Sequence, residues 1–401
     1  MDLDKEHRES ILELFSNLTD KKDLLDLINY VHEIIYGDKV FPIKPGTLNY
    51  YALPSINQNR YRSFNIPKKS GGKREIHAPV GSLKYIQKSL NTILNTVFQP
   101  HTSAKGFVPG KSIVNNAIEH RSMNFVFNID LKDFFHHIEL HRVKAVLKLP
   151  PFYLKEDKEP IAFLIANICC YETEVERIDE KGRTVNVMRS VLPMGAPTSP
   201  VITNIISQKL DRRLNGLAKK YGVTYTRYAD DITFSSQQFL YNPEGKFITE
   251  MRRIIDDQGF SINEKKVRLQ KNAYRQEVTG LTVNEKPNVS RRYIKNLRFL
   301  LYLWETYGYE RANDIFKEKY KEDKTYYKKI PQIDKAIKGK LGFLKMVKGK
   351  QDSTYRKLYD RFYYLIRSNK EYSRKTSLDN VLNTLIKSGL EAAMKEYTET
   401  L

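Results

Sequence analysis

Two carboxylates stand side by side at Asp230 and Asp231, in the stretch TRYADDITFS, whose β-branched and aromatic residues otherwise suit a strand hairpin. Adjacent carboxylates repel each other unless a cation neutralises them. Asp130, a hundred residues earlier, closes another strand-like run, NFVFNIDLKDFF. Three such acids on neighbouring strands can hold two Mg²⁺ ions about 4 Å apart, an arrangement suited to in-line phosphoryl transfer. One ion lowers the pKa of an attacking hydroxyl, and the other stabilises the departing pyrophosphate. An Asp-Asp pair by itself is more often a plain polar hairpin tip, so the pair alone decides nothing.

Those acids need strands to carry them and helices to back the strands. Residues 1–45 read as helical, with Ile11, Leu12, Leu14, Phe15 and Leu18 spaced for one face and a second apolar series from Leu24 to Val31. YRSFNIP and KREIHAP flank the turn KKSGG as a hairpin over 58–80. Helical periodicity returns over 82–98, with Ser82 as N-cap. The central strands are 124–135 and 223–235. Between them a helix starts near Thr198 or Ser199, after a Gly-Ala-Pro turn, and runs through LAKK. A short strand pair fits 277–286. Beyond 288 the chain turns helical, aromatic and basic, and it ends in an amphipathic helix capped by Ser377. No internal repeat or low-complexity tract interrupts it.

Lys and Arg number 68 against 47 Asp and Glu, a net charge of +21, which points to a polyanionic partner. The two cysteines, Cys169 and Cys170, are adjacent in an apolar run and read as core residues in a reducing compartment. The charged N-terminus lacks the apolar stretch of a signal peptide, and no run is long enough to span a bilayer. A soluble cytoplasmic protein with no membrane role is expected.

FNIDLKDFFHHI, LPMGAPTSPVITNI and RYADDITFS occur in that order, and together they resemble the palm motifs of reverse transcriptases, over roughly residues 55–350. The resemblance implies an α+β fold: a right-hand polymerase with an antiparallel palm sheet, fingers and a helical thumb. Its divisions would be an N-terminal helical extension at 1–45, fingers and palm at 46–287, a basic thumb at 288–370 and a C-terminal helix at 371–401. It makes Asp130, Asp230 and Asp231 the metal acids, with the Leu131 carbonyl as a further ligand. Phe135 stands at the position whose ring excludes a 2′-hydroxyl. Lys73 and Arg74 match residues that grip the triphosphate, and Gly195, Ala196 and Pro197 shape a turn against nucleotide and template. Met194 replaces a glutamine common in relatives, which leaves the backbone role but not a side-chain hydrogen bond. Lys265 and Lys266 resemble the lysine motif that protonates pyrophosphate, with Lys266 the catalytic candidate.

Two shorter motifs narrow the family. Asn116-Ala117-x-x-His120 and Val278-Thr279-Gly280 resemble the NAxxH and VTG signatures of retron reverse transcriptases. The resemblance implies that these residues, with Arg291, Arg292, Lys295 and Arg298 on a thumb helix, meet RNA or primer. The expected partners are a structured non-coding RNA, an RNA–DNA hybrid, a single-stranded DNA product, dNTPs and an associated effector protein in defence against phage. A group II intron-like or other bacterial defence reverse transcriptase is the alternative enzyme. A non-catalytic RNA-binding scaffold is the alternative from another class, and the clustered acids argue against it.

Overall fold

The computed structural model describes residues 3–37, 40–53, 59–67, 71–178, 181–323 and 330–369. The helix expected over 371–401, with its Ser377 cap, lies outside them. The chain divides into two compact units, residues 1–279 with 283–285, and residues 280–282 with 286–401.

The first unit opens with helices α1 (Lys5–Ser16), α2 (Lys21–Tyr36) and α3 (Pro45–Ala52). Asp4 and Asp20 cap the first two through side-chain bonds to backbone N–H groups, as helix N-termini require. The apolar series of α2 is buried from Leu24 to Val31. In the α1 segment only Ile11, Phe15 and Leu18 go inward, while Leu12 and Leu14 are exposed. A 3.6-residue period seats i and i+4 on one face and turns their neighbours out. Strands β1 (Tyr61–Pro67) and β2 (Lys73–Pro79) form the expected hairpin, with Pro67 opposite Lys73. α4 (Gly81–Val97) follows directly, burying Leu83, Ile86, Leu90, Ile93 and Leu94. Its N-cap is Val80, not Ser82, and no side chain caps it. The Val80 N–H is tied to the Arg60 carbonyl at 3.0 Å and the helix begins at Gly81, which puts Ser82 inside the first turn and not at its cap.

The short α5 (Ile113–Ala117) precedes β3 (Phe125–Lys132), the central strand of the main sheet. Next come α6 (Leu140–Leu147), α7 (Glu159–Cys169) and the two-stranded ribbon β4 (Tyr171–Ile178) and β5 (Thr184–Val191). α7 carries Cys169, and both cysteines are fully buried. The single helix expected from 198 to 220 is two: α8 (Ser199–Ile206) and α9 (Gln208–Lys220). At Ser207 the backbone takes φ −78°, ψ −1°, and the regular helix is interrupted there. β6 (Thr224–Tyr228) and β7 (Asp231–Ser236) form the carboxylate hairpin, followed by α10 (Lys246–Asp257), β8 (Ser261–Ile262) and β9 (Arg268–Lys271). The sheet runs β6-β7-β3, with β8 and β9 both on the far side of β3, all antiparallel. α8, α9 and α10 bury one face each in the core that also takes Ile129, Ile232 and Phe234 from the sheet. An antiparallel sheet backed by helices is the α+β architecture expected.

The strand pair read over 277–286 shrinks to two-residue strands, β10 (Glu277–Val278) and β11 (Leu281–Thr282). Thr279 and Gly280 between them both have positive φ, 46° and 80°. The second unit is helical from α11 (Arg291–Asp323), interrupted at Gly308, through α12 (Ile333–Lys348) to residues 353–369. Leu297, Leu300, Leu301 and Trp304 of α11 and Ile337, Leu341 and Leu344 of α12 are buried. Tyr293 is half-buried and donates its hydroxyl to the Lys340 carbonyl at 2.8 Å. Among the described residues no helix is long and apolar enough to cross a membrane.

Candidate active site

Tyr228 pairs with Asp231 across the hairpin, so Ala229 and Asp230 alone make the turn. A two-residue hairpin turn needs left-handed backbone, and Ala229 supplies it at φ 58°. On the other side Asp231 sits directly opposite Asp130 in the β3–β7 register. Directly opposed residues of an antiparallel pair project from the same face with Cβ atoms about 5 Å apart. The Leu131 N–H donates to the Asp230 carbonyl at 3.0 Å, bringing the third acid to the same end of β3. Register alone therefore converts three acids, distant in sequence, into one cluster.

Their electrostatics record the crowding. Burial, then the neighbouring charge of Asp130, raises the pKa of Asp230 above the usual carboxylate value. Asp231 is pushed up to about 6, first by desolvation among the surrounding protein atoms and then by Asp230 and Asp130. Asp130 has found a cation: Lys266 Nζ lies 2.7 Å from its Oδ1, and Asn263 Nδ2 is 3.2 Å from Oδ2. The Asn263 N–H also holds the Asp130 carbonyl at 2.8 Å. Among the described residues no three His, Cys, Asp or Glu side chains converge in ligating geometry. The Asp130 carboxylate is engaged by the Lys266 ammonium. Hard carboxylate oxygens under mutual repulsion are nevertheless the donor set that Mg²⁺ favours, so the residues present fit a divalent cation.

The first unit also holds other expected residues. Phe135 is half-buried, its ring 5.7 Å from Phe134 and 6.4 Å from Phe107, centroid to centroid. Lys73 and Arg74 are exposed at the start of β2. The charge of Arg74 reaches Asp230 and opposes the upward shift of its pKa. Gly195 lies against β2: a Cβ there would meet Ile76 Cγ2 at 2.7 Å and the His77 carbonyl oxygen at 3.1 Å, and its φ is 120°. The Met194 carbonyl accepts from the His77 N–H at 2.8 Å. The Gly195-Ala196-Pro197 turn thus docks on the fingers hairpin through backbone, which needs no glutamine at 194. On α11 of the second unit, Arg291, Arg292, Lys295 and Arg298 are all exposed.

The short motifs depart from expectation. Asn116, His120 and Val278 are each fully buried, so their side chains meet protein and not RNA. His120 bridges the palm strands, with Nδ1 2.7 Å from Ser235 Oγ on β7 and Nε2 2.7 Å from Thr226 Oγ1 on β6. Asn116 Nδ2 reaches Thr279 Oγ1 at 3.5 Å. Only Thr279, half-buried, and Gly280, exposed, present the VTG motif to solvent.

Burial holds the His120 imidazole neutral, lowering its pKa to about 3, with Lys105 adding to the effect. A histidine whose folded pKa lies below its unfolded value weakens the fold as pH falls through the unfolded pKa. His120 should therefore remove roughly 2 kcal/mol of stability between about pH 7.5 and about pH 5. Denaturant unfolding at both pH values checks this: His120→Gln should show a pH dependence shallower by that amount.

Several residues of this site carry no signature of their own in the sequence. Arg227, fully buried, forms a two-pronged ion pair with Asp211 of α9, Nε to Oδ1 at 2.8 Å and Nη2 to Oδ2 at 2.7 Å. Its Nη1 donates to the Ala229 carbonyl at 3.1 Å. Gly106 lies against the turn so closely that a Cβ would meet the Ala229 nitrogen at 2.5 Å. Asn263, which bonds both the side chain and the carbonyl of Asp130, has no motif of its own beside the lysines.

Comparison with known proteins agrees with this geometry. The family described as reverse transcriptase (RNA-dependent DNA polymerase) matches residues 66–287. The chain is 36% identical over 271 residues to the retron Mx65 reverse transcriptase of Myxococcus xanthus, covering 65% of this chain and 60% of that protein. It is 37% identical over 234 residues to the retron Mx162 reverse transcriptase of the same organism, covering 56% and 47%. With the retron Ec86 reverse transcriptase of Escherichia coli it shares 34% identity over 247 residues, covering 60% and 68%. The match thus spans about half to three-fifths of the two Myxococcus proteins. With the palm motifs, the acid cluster and the matched residues in agreement, the chain belongs to the reverse transcriptase family, as a retron-type member.

Proposed function

We propose that the chain is the RNA-directed DNA polymerase of a retron, copying part of a structured non-coding RNA into single-stranded DNA from a 2′-hydroxyl of that RNA. The observation that carries the reading is Asp130 directly opposite Asp231, beside Asp230, at one end of the palm sheet. Asp130, Asp230, Asp231 and the Leu131 carbonyl are the groups to hold two Mg²⁺ ions, which when bound activate the primer hydroxyl and stabilise the leaving pyrophosphate. Lys266 brings an ammonium to the same place, where it can give its proton to pyrophosphate. Lys73 and Arg74 bind the triphosphate as point charge and fork. Gly195, Ala196 and Pro197 present backbone to the incoming nucleotide and the template. Arg291, Arg292, Lys295 and Arg298 contact phosphates of an A-form duplex, which is read by shape and backbone.

Priming from an internal hydroxyl asks that a folded RNA be held with that oxygen in line with the α-phosphate. The Thr279-Gly280 turn is the part of the short motifs open to make that contact. Asn116 and His120 support it from within, Asn116 by holding Thr279 and His120 by fixing the palm strands. Expression with the neighbouring non-coding RNA, followed by debranching enzyme, tests the reading. DNA joined to RNA through a debranchable 2′,5′ link is the expected product, and DNA without it would leave only general reverse transcription. A role in defence against phage, through an effector protein, is tested by plating phage on cells carrying the intact locus and on cells carrying Asp231→Asn.

Sugar selection is a separate expectation. Phe135→Ala opens the space beneath the sugar, so ribonucleotide use relative to deoxyribonucleotide should rise about a hundredfold by kcat/KM. An unchanged ratio would make Phe135 a packing residue.

A further inference from the structure

The buried charge beneath the catalytic turn has no part in the chemistry above. Arg227 and Asp211 are both fully buried, and an ion pair in such a place is weak evidence for stability, since well-packed apolar residues would serve as well. What the pair touches is more informative. Arg227 Nη1 holds the Ala229 carbonyl, the atom just before Asp230, and the Leu131 N–H holds the carbonyl of Asp230 itself. Asp230 is thus pinned by hydrogen bonds to the carbonyls on both sides of its backbone. Arg227 Nη2 also donates to Asn204 Oδ1 at 3.1 Å. Asn204, itself buried on α8, turns its amide nitrogen to the carbonyls of Gly106 and Phe107 at 3.1 and 3.3 Å. The backbone of Arg227 joins the same loop, accepting from the Lys105 N–H at 2.8 Å and donating to the Ser103 carbonyl at 2.9 Å. Phe107, at φ 59°, then places its ring against Phe135.

We propose that the buried Arg227–Asp211–Asn204 cluster positions the catalytic turn and the aromatic gate as one piece, with Asn204 setting how strictly Phe135 discriminates between sugars. The inference rests on the polymerase reading. Arg227 fixes the peptide that aims Asp230, with Asp211 holding the guanidinium flat and also accepting the Tyr225 hydroxyl at 2.7 Å. Asn204 carries that fixed point to the 106–107 backbone, and so to the ring that backs Phe135. These are positioning residues, since none reaches substrate.

The test compares Arg227→Lys and Asn204→Ala with Ile165→Val and Ile165→Ala, core changes on α7 chosen so that one matches the melting temperature of each cluster variant. Arg227→Lys should lower kcat about a hundredfold with KM for dNTP within about twofold, the sign of misaimed catalytic groups. Asn204→Ala should lower the dNTP-over-rNTP ratio of kcat/KM about tenfold, more than it lowers kcat. The Ile165 variants should change neither. A second readout needs no activity: the amides of Lys105 and Leu131 should exchange with deuterium faster in both cluster variants than in the matched control. Unchanged sugar discrimination in Asn204→Ala, or unchanged exchange at those two amides, overturns the positioning role. An inactive wild type overturns the polymerase reading instead, and amide exchange still decides whether the cluster positions the turn.

Discussion

Asp231→Asn should lower primer extension at least about a thousandfold and raise the melting temperature of the metal-free protein. The two effects come from one charge. Asn keeps the size and the register of the residue opposite Asp130, so the sheet is undisturbed, but it removes an anion from the cation site. In the folded protein the same anion is unwelcome without a cation, as its pKa of about 6 records. A carboxyl whose folded pKa is raised costs stability once pH rises past its ordinary value, so the gain should be present at neutral pH and vanish near pH 4. Binding of an RNA–DNA hybrid should stay within about twofold, because the phosphate contacts proposed above come from Lys and Arg elsewhere. Extension near the wild-type rate would remove the metal assignment. Lost extension with a lowered melting temperature would mean that the variant had simply unfolded the site.

Gly106→Ala should also slow extension severely, without touching an acid. The added methyl would lie 2.5 Å from the Ala229 nitrogen, 2.9 Å from the Tyr228 carbonyl carbon and 3.0 Å from Tyr228 Cα, all backbone. No flexible side chain is there to move aside. The turn that presents Asp230 must shift, and a displacement of that order costs about a hundredfold in rate. Overpacking should also cost roughly 2 kcal/mol in stability. Single-turnover extension and thermal melting measure the two losses separately. Gly110, with open space about its would-be Cβ, is the control: its φ of 73° makes Gly110→Ala strained, but the strain lies away from the turn.

The chemistry was legible because its residues carry it in their own types. Asp230-Asp231 announces a charge problem, and the strand-like run ending at Asp130 offers the partner. The supporting residues are silent for the opposite reason. Arg227 looks like one more cation in a chain with 68 Lys and Arg, and only the fold shows that it faces Asp211. Gly106 has no signature in the sequence, because its lack of a side chain answers to backbone more than a hundred residues away. His120 and Asn116 were legible as a motif but not in their role, because a short pattern says nothing of burial. The helix that splits at Ser207 follows the same rule. Nothing local demands the break, but it lies between Asn204 and Asp211, both of which bond the one guanidinium.

The central position of β3 sets a schedule for the newborn chain. Its neighbours β7 and β9 lie roughly 100 and 140 residues later in sequence, so Phe125, Val126, Phe127, Ile129 and Leu131 leave the ribosome with no strand to pair with. At about 5–20 residues per second, the wait for β7 lasts about 5 to 20 seconds. For that time an apolar strand with open hydrogen-bonding edges is available to any other nascent copy. Polysomes crowded on one message hold such copies close together. Slower decoding across 132–231 lengthens the exposure, so synonymous codons in that interval, which change no amino acid, should alter the soluble yield measured after expression.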